Sequence, residues 1–366
     1  MKAGIVHFIF LCYILDMKSI AQMHGEILME NNRRFEEIYG VLAKHDFSAL
    51  ERSRKAACRT GTSVKMTSRL VALASVCIPI CLIALFAYGG VSARSNPKTN
   101  VFLFIMIVSV IVVALRFLHV EARKSKEKQY RKMYTSELNS IFLNLIEPGF
   151  SYDSGRGFPE KSYKMIQFGT YDKYEADGLI FGKLRNGCPF RAGPVTTRSA
   201  YEGTDEVRTE RIDFDGMLYE VELPFNINSR LYLRSDKKVD HAGFVRKMFS
   251  PDVRLTNLKV KMDSEEFERI FDVYAENKII AMQLFTADVM LDLERMYAVA
   301  SNQFEITIDH GMLYISFATG AIFRAPEDLS IPVSDKKTLA QYYKRFENTF
   351  KFVEKFVGTM EESNVV

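Results

Sequence analysis

The chain has 366 residues, a formal net charge of +4, 48% hydrophobic and 26% charged residues, 28 Phe, 17 Tyr and no Trp. This length suits roughly two to three folded units. Its charge is split: residues 1–147 carry 20 Lys+Arg against 11 Asp+Glu, a balance of +9, and residues 148–366 carry 29 against 34, a balance of −5. A basic first half suits a bilayer. The mildly acidic second half has no concentrated basic face, which excludes a nucleic-acid partner for it. Only Cys188 of the five cysteines lies in the second half, so that half has no internal disulfide and fits a reducing compartment.

Taken in order, Ala3–Leu15 is an apolar run behind Lys2. It has the look of a signal-peptide core, yet it is shorter than the ~20 residues of a membrane span, and no small-residue cleavage site follows. Three readings stand for residues 1–30: a start-site artefact with Met17, Met23 or Met29 as the true start, a signal, or a third membrane segment. Asn31–Leu50 has helical spacing, with Phe35, Ile38 and Leu42 on one stripe. Residues 31–69 therefore form an amphipathic helix and a basic juxtamembrane stretch, Arg52–Arg69, which holds no acid.

The next stretch organises the chain. Leu70–Ala87 and Val101–Leu115 are apolar runs joined by the short loop Gly89–Asn100. They predict a transmembrane hairpin over residues 70–120, with spans at about 70–89 and 101–118. Arg123–Lys132 makes a second basic flank, while the loop holds only Arg94 and Lys98. Positive flanks stay inside, which places both termini in the cytoplasm and gives a multi-pass inner-membrane protein. Both flanks would also attract anionic lipid headgroups, by about 1 kcal/mol per basic residue at the surface. Arg116 sits at the inner edge of the second span, where it snorkels, and neither span buries a charge, which speaks against a transporter or channel. Cys77 and Cys81 share a helix face without further ligands and read as packing residues.

Residues 121–149 continue as a basic linker helix stopped by Glu147-Pro148-Gly149. From residue 150 to 366 the pattern is a cytoplasmic α+β domain with a mostly antiparallel sheet and flanking helices. Its expected strands are Tyr163–Phe168, Leu179–Phe181, Leu231–Leu233 and Val253–Lys261. Asp215-Gly216 reads as a tight turn between Val207–Phe214 and Met217–Leu223, and Asp309-His310-Gly311 as another between Phe304–Ile308 and Met312–Phe317. Helices are expected from Asp263, from Thr286 and from Ser334 or Asp335, the last carrying Leu339, Tyr342, Phe346, Phe350, Val353 and Val357 on one stripe.

Four stretches resemble a bacterial membrane-protein family of unknown function, the domain-of-unknown-function family 3137. They are Asp263–Tyr274 with Ala281–Thr286 and Met290; Glu175–Lys183; Phe214–Phe225; and Asp309–Ile315 with Phe323. The resemblance covers roughly Phe35 to Phe356, including the hairpin. It implies topology and fold, carries over no catalytic residue, and hints at a membrane-protein partner of the LemA type. The chain departs from the family pattern at Ile280, Met282 and Gln283, where charged and aromatic residues are usual.

Motifs for chemistry are lacking. Gly178–Gly182-Lys183-Leu184 has the wrong spacing for a phosphate loop and no hydroxyl for Mg²⁺. His241 and His310 are the only imidazoles after residue 147, and His310 reads as a turn residue. Cys188, in Asn186-Gly-Cys-Pro189, would need a neighbouring base to act as a nucleophile. Glu265-Glu266 and Glu361-Glu362 read as helix capping and a solvated tail, and Tyr342-Tyr343 with Phe346 as an internal helix face. No residue is assigned a catalytic, cofactor-binding or metal-ligating role, and no cofactor is implied. The expectation is a non-enzymatic scaffold or regulatory binding module tethered to the membrane. The alternative is a tethered, hydrolase-like enzyme built on Cys188, His241 and His310.

Overall fold

The computed structural model describes residues 31–59, 97–166, 171–202, 208–225, 227, 229–235, 258–299, 304–320 and 322–362. The chain divides into two compact units, one made of residues 1–45, 135–324 and 336–366, the other of residues 46–134 and 325–335.

The first unit is α+β. Its sheet has ten strands among the described residues: β1 (Ser151–Asp153), β2 (Lys173–Ala176), β3 (Leu179–Lys183), β4 (Pro189–Glu202), β5 (Arg208–Glu222), β6 (Leu231–Ser235), β7 (Lys259–Val260), β8 (Phe271–Ala275), β9 (Phe304–Asp309) and β10 (Met312–Phe317). They run β1-β3-β4-β5-β10-β9-β6-β8-β7, with β2 pairing β4, and every pairing is antiparallel. The helices of this unit are α1 (31–42), α4 (Asn139–Ile146), α5 (Glu160–Ile166), α6 (Glu265–Ile270), α7 (Lys278–Leu284), α8 (Ala287–Val299) and α9 (Lys336–Glu362).

Period-two alternation splits the sheet into two faces. Met217, Tyr219 and Val221 of β5, Leu313, Ile315 and Phe317 of β10, and Phe304, Ile306 and Ile308 of β9 share one face by register, and all are buried. Against it lies α9, whose apolar stripe the sequence announced. Phe352 meets Phe304 and Phe317 edge-on at 5.4 and 5.8 Å between centroids, and the Tyr219 hydroxyl bonds Thr349 at 2.7 Å. Each large side chain of this kind contributes about 1.5–3 kcal/mol through burial. On the other face, α5 closes a smaller cluster of Phe158, Tyr163, Ile166, Leu179, Val195, Phe214 and Leu218.

Helix α1 belongs to this unit although it precedes both apolar runs in sequence. Phe35, Ile38 and Leu42 are buried, and the Phe35 ring meets Tyr343 of α9 at a tilt, 5.7 Å between centroids. Arg34 donates to the Ile146 carbonyl at 2.6 Å, at the end of α4, and Lys336 pairs with Glu36 at 2.7 Å.

In the second unit, α2 (48–59) and α3 (Pro97–Met133) are joined by a small polar core. Arg54 is buried, pairs with Glu51 at 2.5 Å and donates to the Leu329 carbonyl. Glu51 also accepts from the Val333 amide at 3.3 Å, and Arg131 reaches the Ala325 carbonyl at 3.4 Å. A π-helical turn, Tyr134–Leu138, links α3 to α4, so the expected continuous helix to Ile146 is interrupted once, by a wider turn.

Several expectations change. Asn31–Leu50 is two helices, broken at residues 43–47. Tyr163 lies in helix α5, not a strand. Asp215-Gly216 is no turn: β5 runs straight through it, opposite Thr196 and Val195 of β4. The physical reason is crowding, since a β-carbon on Gly216 would overlap the Phe317 carbonyl oxygen where β10 ends. Of the two anticipated turns only the second exists, as a two-residue His310-Gly311 loop with φ of +46° and +84°. Of the expected Val253–Lys261, Lys259–Val260 form strand β7, while residues 253–257 lie outside the described residues. Ser264, not Asp263, caps α6, accepting from the Phe267 amide at 3.2 Å.

The expected transmembrane hairpin is not found. Leu70–Ala87 lies outside the described residues, as does Ala3–Leu15. Val101–Leu115 falls within α3, with its side chains described only in part. Among the described residues no helix is long and apolar enough to cross a membrane.

Candidate functional site

The second face of the sheet gathers most of the polar chemistry. Register places Lys259, Tyr274, Tyr232, Thr307, Tyr314, Glu220 and Arg191 in one row across β7, β8, β6, β9, β10, β5 and β4. The adjacent row runs Asp272, Arg234, Glu305, Ser316 and Leu218. Charges in these rows come paired. Arg234 donates to Glu305 at 2.7 Å with both side chains at most 10% exposed, and Lys259 pairs with Asp272 at 2.7 Å. Glu220 takes Arg191 on one oxygen and the Ser162 hydroxyl, at 2.7 Å, on the other. Arg230 and His310 both approach Asp309, at 2.8 and 2.6 Å.

Burial pushes the Tyr232 and Tyr314 phenols above their ordinary range, so both stay protonated. Burial alone would raise the Asp309 carboxyl as well. Hydrogen bonds from His310 and Arg230 outweigh it and hold that acid below its usual value. These groups are donors and acceptors engaged with one another.

A second polar knot sits where β4 and β5 meet residues 323–324. Phe323 is fully buried with φ of +58°, an unusual backbone for an aromatic residue. Asn139 donates to its carbonyl at 2.5 Å, and Phe142 and Phe346 flank its ring at 6.2 and 5.3 Å. The next residue, Arg324, bonds Thr196 and Asp215 and lies 3.8 Å from Asp177, while its carbonyl accepts from Tyr342 at 2.6 Å. The strained turn is thus pinned from four sides. Nearby, burial raises the Tyr152 hydroxyl to about 12.

Among the described residues, Cys188 and His310 have different partners and no contact joins them. His241, Cys77 and Cys81 lie outside the described residues. Cys188 is buried at the β3–β4 turn, where its thiol faces Glu361 of α9 at 3.8 Å. His310 sits on the β9–β10 turn and is engaged with Asp309. Burial, then the Glu361 carboxylate, pushes the Cys188 thiol up, the reverse of what a nucleophile needs. Alkylation of Cys188 by iodoacetamide in the native protein is expected to be slower than that of a free thiol at pH 7.5 and still accelerating above pH 9. Rapid saturation near neutral pH in a thiol-titration assay would contradict this.

Gly178–Lys183 is strand β3 and its approach; Gly178, with φ of +89°, packs on Tyr152. Glu265 and Glu266 lie in the first turn of α6, facing its positive end. Tyr342, Tyr343 and Phe346 are internal. Among the described residues no group of His, Cys, Asp and Glu could hold a metal ion.

The tyrosine and ion-pair rows escaped the sequence reading. Their signal was present in the strand alternation Tyr232-Leu-Arg234, Asp272-Val-Tyr274, Glu305-Ile-Thr307 and Tyr314-Ile-Ser316, but pairing needs register. The accessible features of this region are a depression lined by Lys259, Glu265, Glu268, Arg269 and Asp272, and the apolar side chains Ile279, Met282 and Leu291, each at least 45% exposed. Ile279 and Met282 flank Ile280, inside the block where the chain departs from the family it resembles.

No curated protein sequence matches the chain. Among solved structures, the crystal structure of the mycobacterial trehalose monomycolate transport factor A, TtfA, aligns with 10% identity over 60% of this chain and 93% of that one. Its TM-score of 0.29 is too low to bear on fold or function. Residues 212–357, from within the first half of β5 to near the end of α9, match the model of a family described as protein of unknown function, DUF3137. Over those residues the chain is similar to a family whose function is unknown.

Proposed function

We propose that this protein is a non-enzymatic interaction module held at the cytoplasmic face of a bacterial inner membrane by residues 70–120. The observation that carries the reading is the docking of α1. Residues 31–42 precede both apolar runs, yet they pack in the same unit as residues after 135, through Phe35 on Tyr343 and Arg34 on Ile146. A chain that leaves and re-enters one folded unit on one side of a bilayer crosses it an even number of times, which suits a hairpin. Val108, Ile111, Leu115, Phe117 and Leu118 of α3 support it further. They are 40–67% exposed, an apolar surface that hydrocarbon would cover. The basic flanks favour the cytoplasmic side.

The chemistry of the sheet domain supports the interaction role. Its buried acids are matched by cations, its tyrosines are protonated, and Cys188 is shielded, whereas Ile279 and Met282 on α7 are open to a protein partner. Alkaline carbonate extraction of membranes from cells making the full chain tests the anchor. The protein is expected in the pellet, with tags at both ends of residues 31–366 protected equally from external protease. Release into the supernatant, or protection of one tag alone, would overturn the proposal.

A further inference from the structure

Basic residues near the apolar segment are not equivalent. Arg54 is buried and committed to Glu51 and Leu329, so it is a core residue of the second unit and not a headgroup ligand. Arg52 donates to the Ser48 carbonyl. On α3, Glu127 takes both Arg123, at 3.8 Å, and Arg131, at 2.9 Å, one turn to either side. What is left on the described part of α3 is a set of exposed lysines: Lys124, whose exposed contact with Glu121 at 3.3 Å is of a weak kind, and Lys126, Lys128 and Lys132, which make no ion pair among the described residues.

These lysines continue the helix that exposes Leu115, Phe117 and Leu118. At about 1.5 Å per residue, Lys124 stands about 9 Å beyond Leu118, Lys126 about 12 Å, Lys128 about 15 Å and Lys132 about 21 Å. The polar layer on each side of the hydrocarbon is roughly 5–7 Å deep. Beyond it the surface potential decays over about 8 Å at physiological salt. Helix tilt, about 20° on average, changes these heights by only a few per cent.

Resting on the tether proposed above, we infer that Lys124, Lys126 and Lys128 form a graded contact with anionic phospholipid headgroups, strongest at Lys124 and gone by Lys132. The occupant is fixed by charge and by neighbourhood. The lysines are exposed and positive, and the same helix presents bare apolar side chains immediately before them. The contact uses Lys124, Lys126 and Lys128, the lysines of α3 nearest its bare apolar stretch, not the whole basic run.

The test places the full chain in nanodiscs of phosphatidylcholine alone or mixed with phosphatidylglycerol, and reads lysine acetylation by mass spectrometry. Phosphatidylglycerol is expected to slow labelling of Lys124 by about five-fold, the effect of one basic residue at an anionic surface. Lys126 and Lys128 should follow in falling order, and Lys132 should not change. Raised salt should abolish the difference, and a Lys124→Gln/Lys126→Gln/Lys128→Gln protein should prefer phosphatidylglycerol less than wild type does in lipid-competition measurements. Equal labelling in both discs, or equal slowing of all four lysines, overturns the inference while leaving the tether intact. A chain that does not enter either disc overturns the tether itself.

Discussion

Gly216→Ala is expected to destabilise the sheet domain by about 3 kcal/mol or more, at the top of the range for overpacking. The glycine lies mid-strand in β5, opposite Val195 of β4, and the end of β10 passes directly over it. A β-carbon there would overlap the Phe317 carbonyl oxygen and press on Ala318, both backbone, so no side-chain rotation relieves the clash. The neighbouring chain is held from elsewhere, since the Gly320 amide donates to the Asp215 carbonyl at 3.0 Å. The control is Gly358, inside α9, where nothing lies within 4 Å of an added carbon. Gly358→Ala should stabilise by about 0.5–1 kcal/mol through helix propensity alone. Thermal unfolding of the full chain in mild detergent checks both. A Gly216→Ala protein as stable as wild type would mean that β10 can move away, contrary to the pairing seen.

Arg234→Met is expected to cost about 3–5 kcal/mol, because it leaves Glu305 charged and buried without its guanidinium. The two residues lie directly opposite on β6 and β9 and are 10% and 5% exposed. The cost lies in the orphaned charge, not in the pair's own attraction. Replacing both, as Arg234→Met with Glu305→Leu, should therefore recover most of the loss. Chemical denaturation of the two single variants and the double variant closes the cycle. If the double variant were no more stable than Arg234→Met, the pair would be holding the local fold by some means other than compensated charge.

Legibility varied with the range of the interaction. The stripe from Leu339 to Val357 announced α9 correctly, because helical period and burial are both local. His310-Gly311 was read correctly as a hairpin turn because flanking alternation and positive φ agree there. Asp215-Gly216 carried the same local signature and was misread. The glycine serves a contact with β10, 100 residues later in sequence, which no window around it contains. Tyr163–Phe168 alternates like a strand, yet Tyr163 turns inward from helix α5 to bond Thr197 at 3.0 Å.

By itself the sequence determined the α+β class, the long final helix, the separation of a basic first half from an acidic second half, and the apolar runs between them. These are properties of composition and of short periods. Tertiary structure alone decided that β5 is one strand, that Arg54 belongs to a core while Lys124 faces outward, and that α1 returns to the unit built by residues after 135. Each of those depends on partners far apart in the chain, where burial and charge pairing, not local preference, set the free energy.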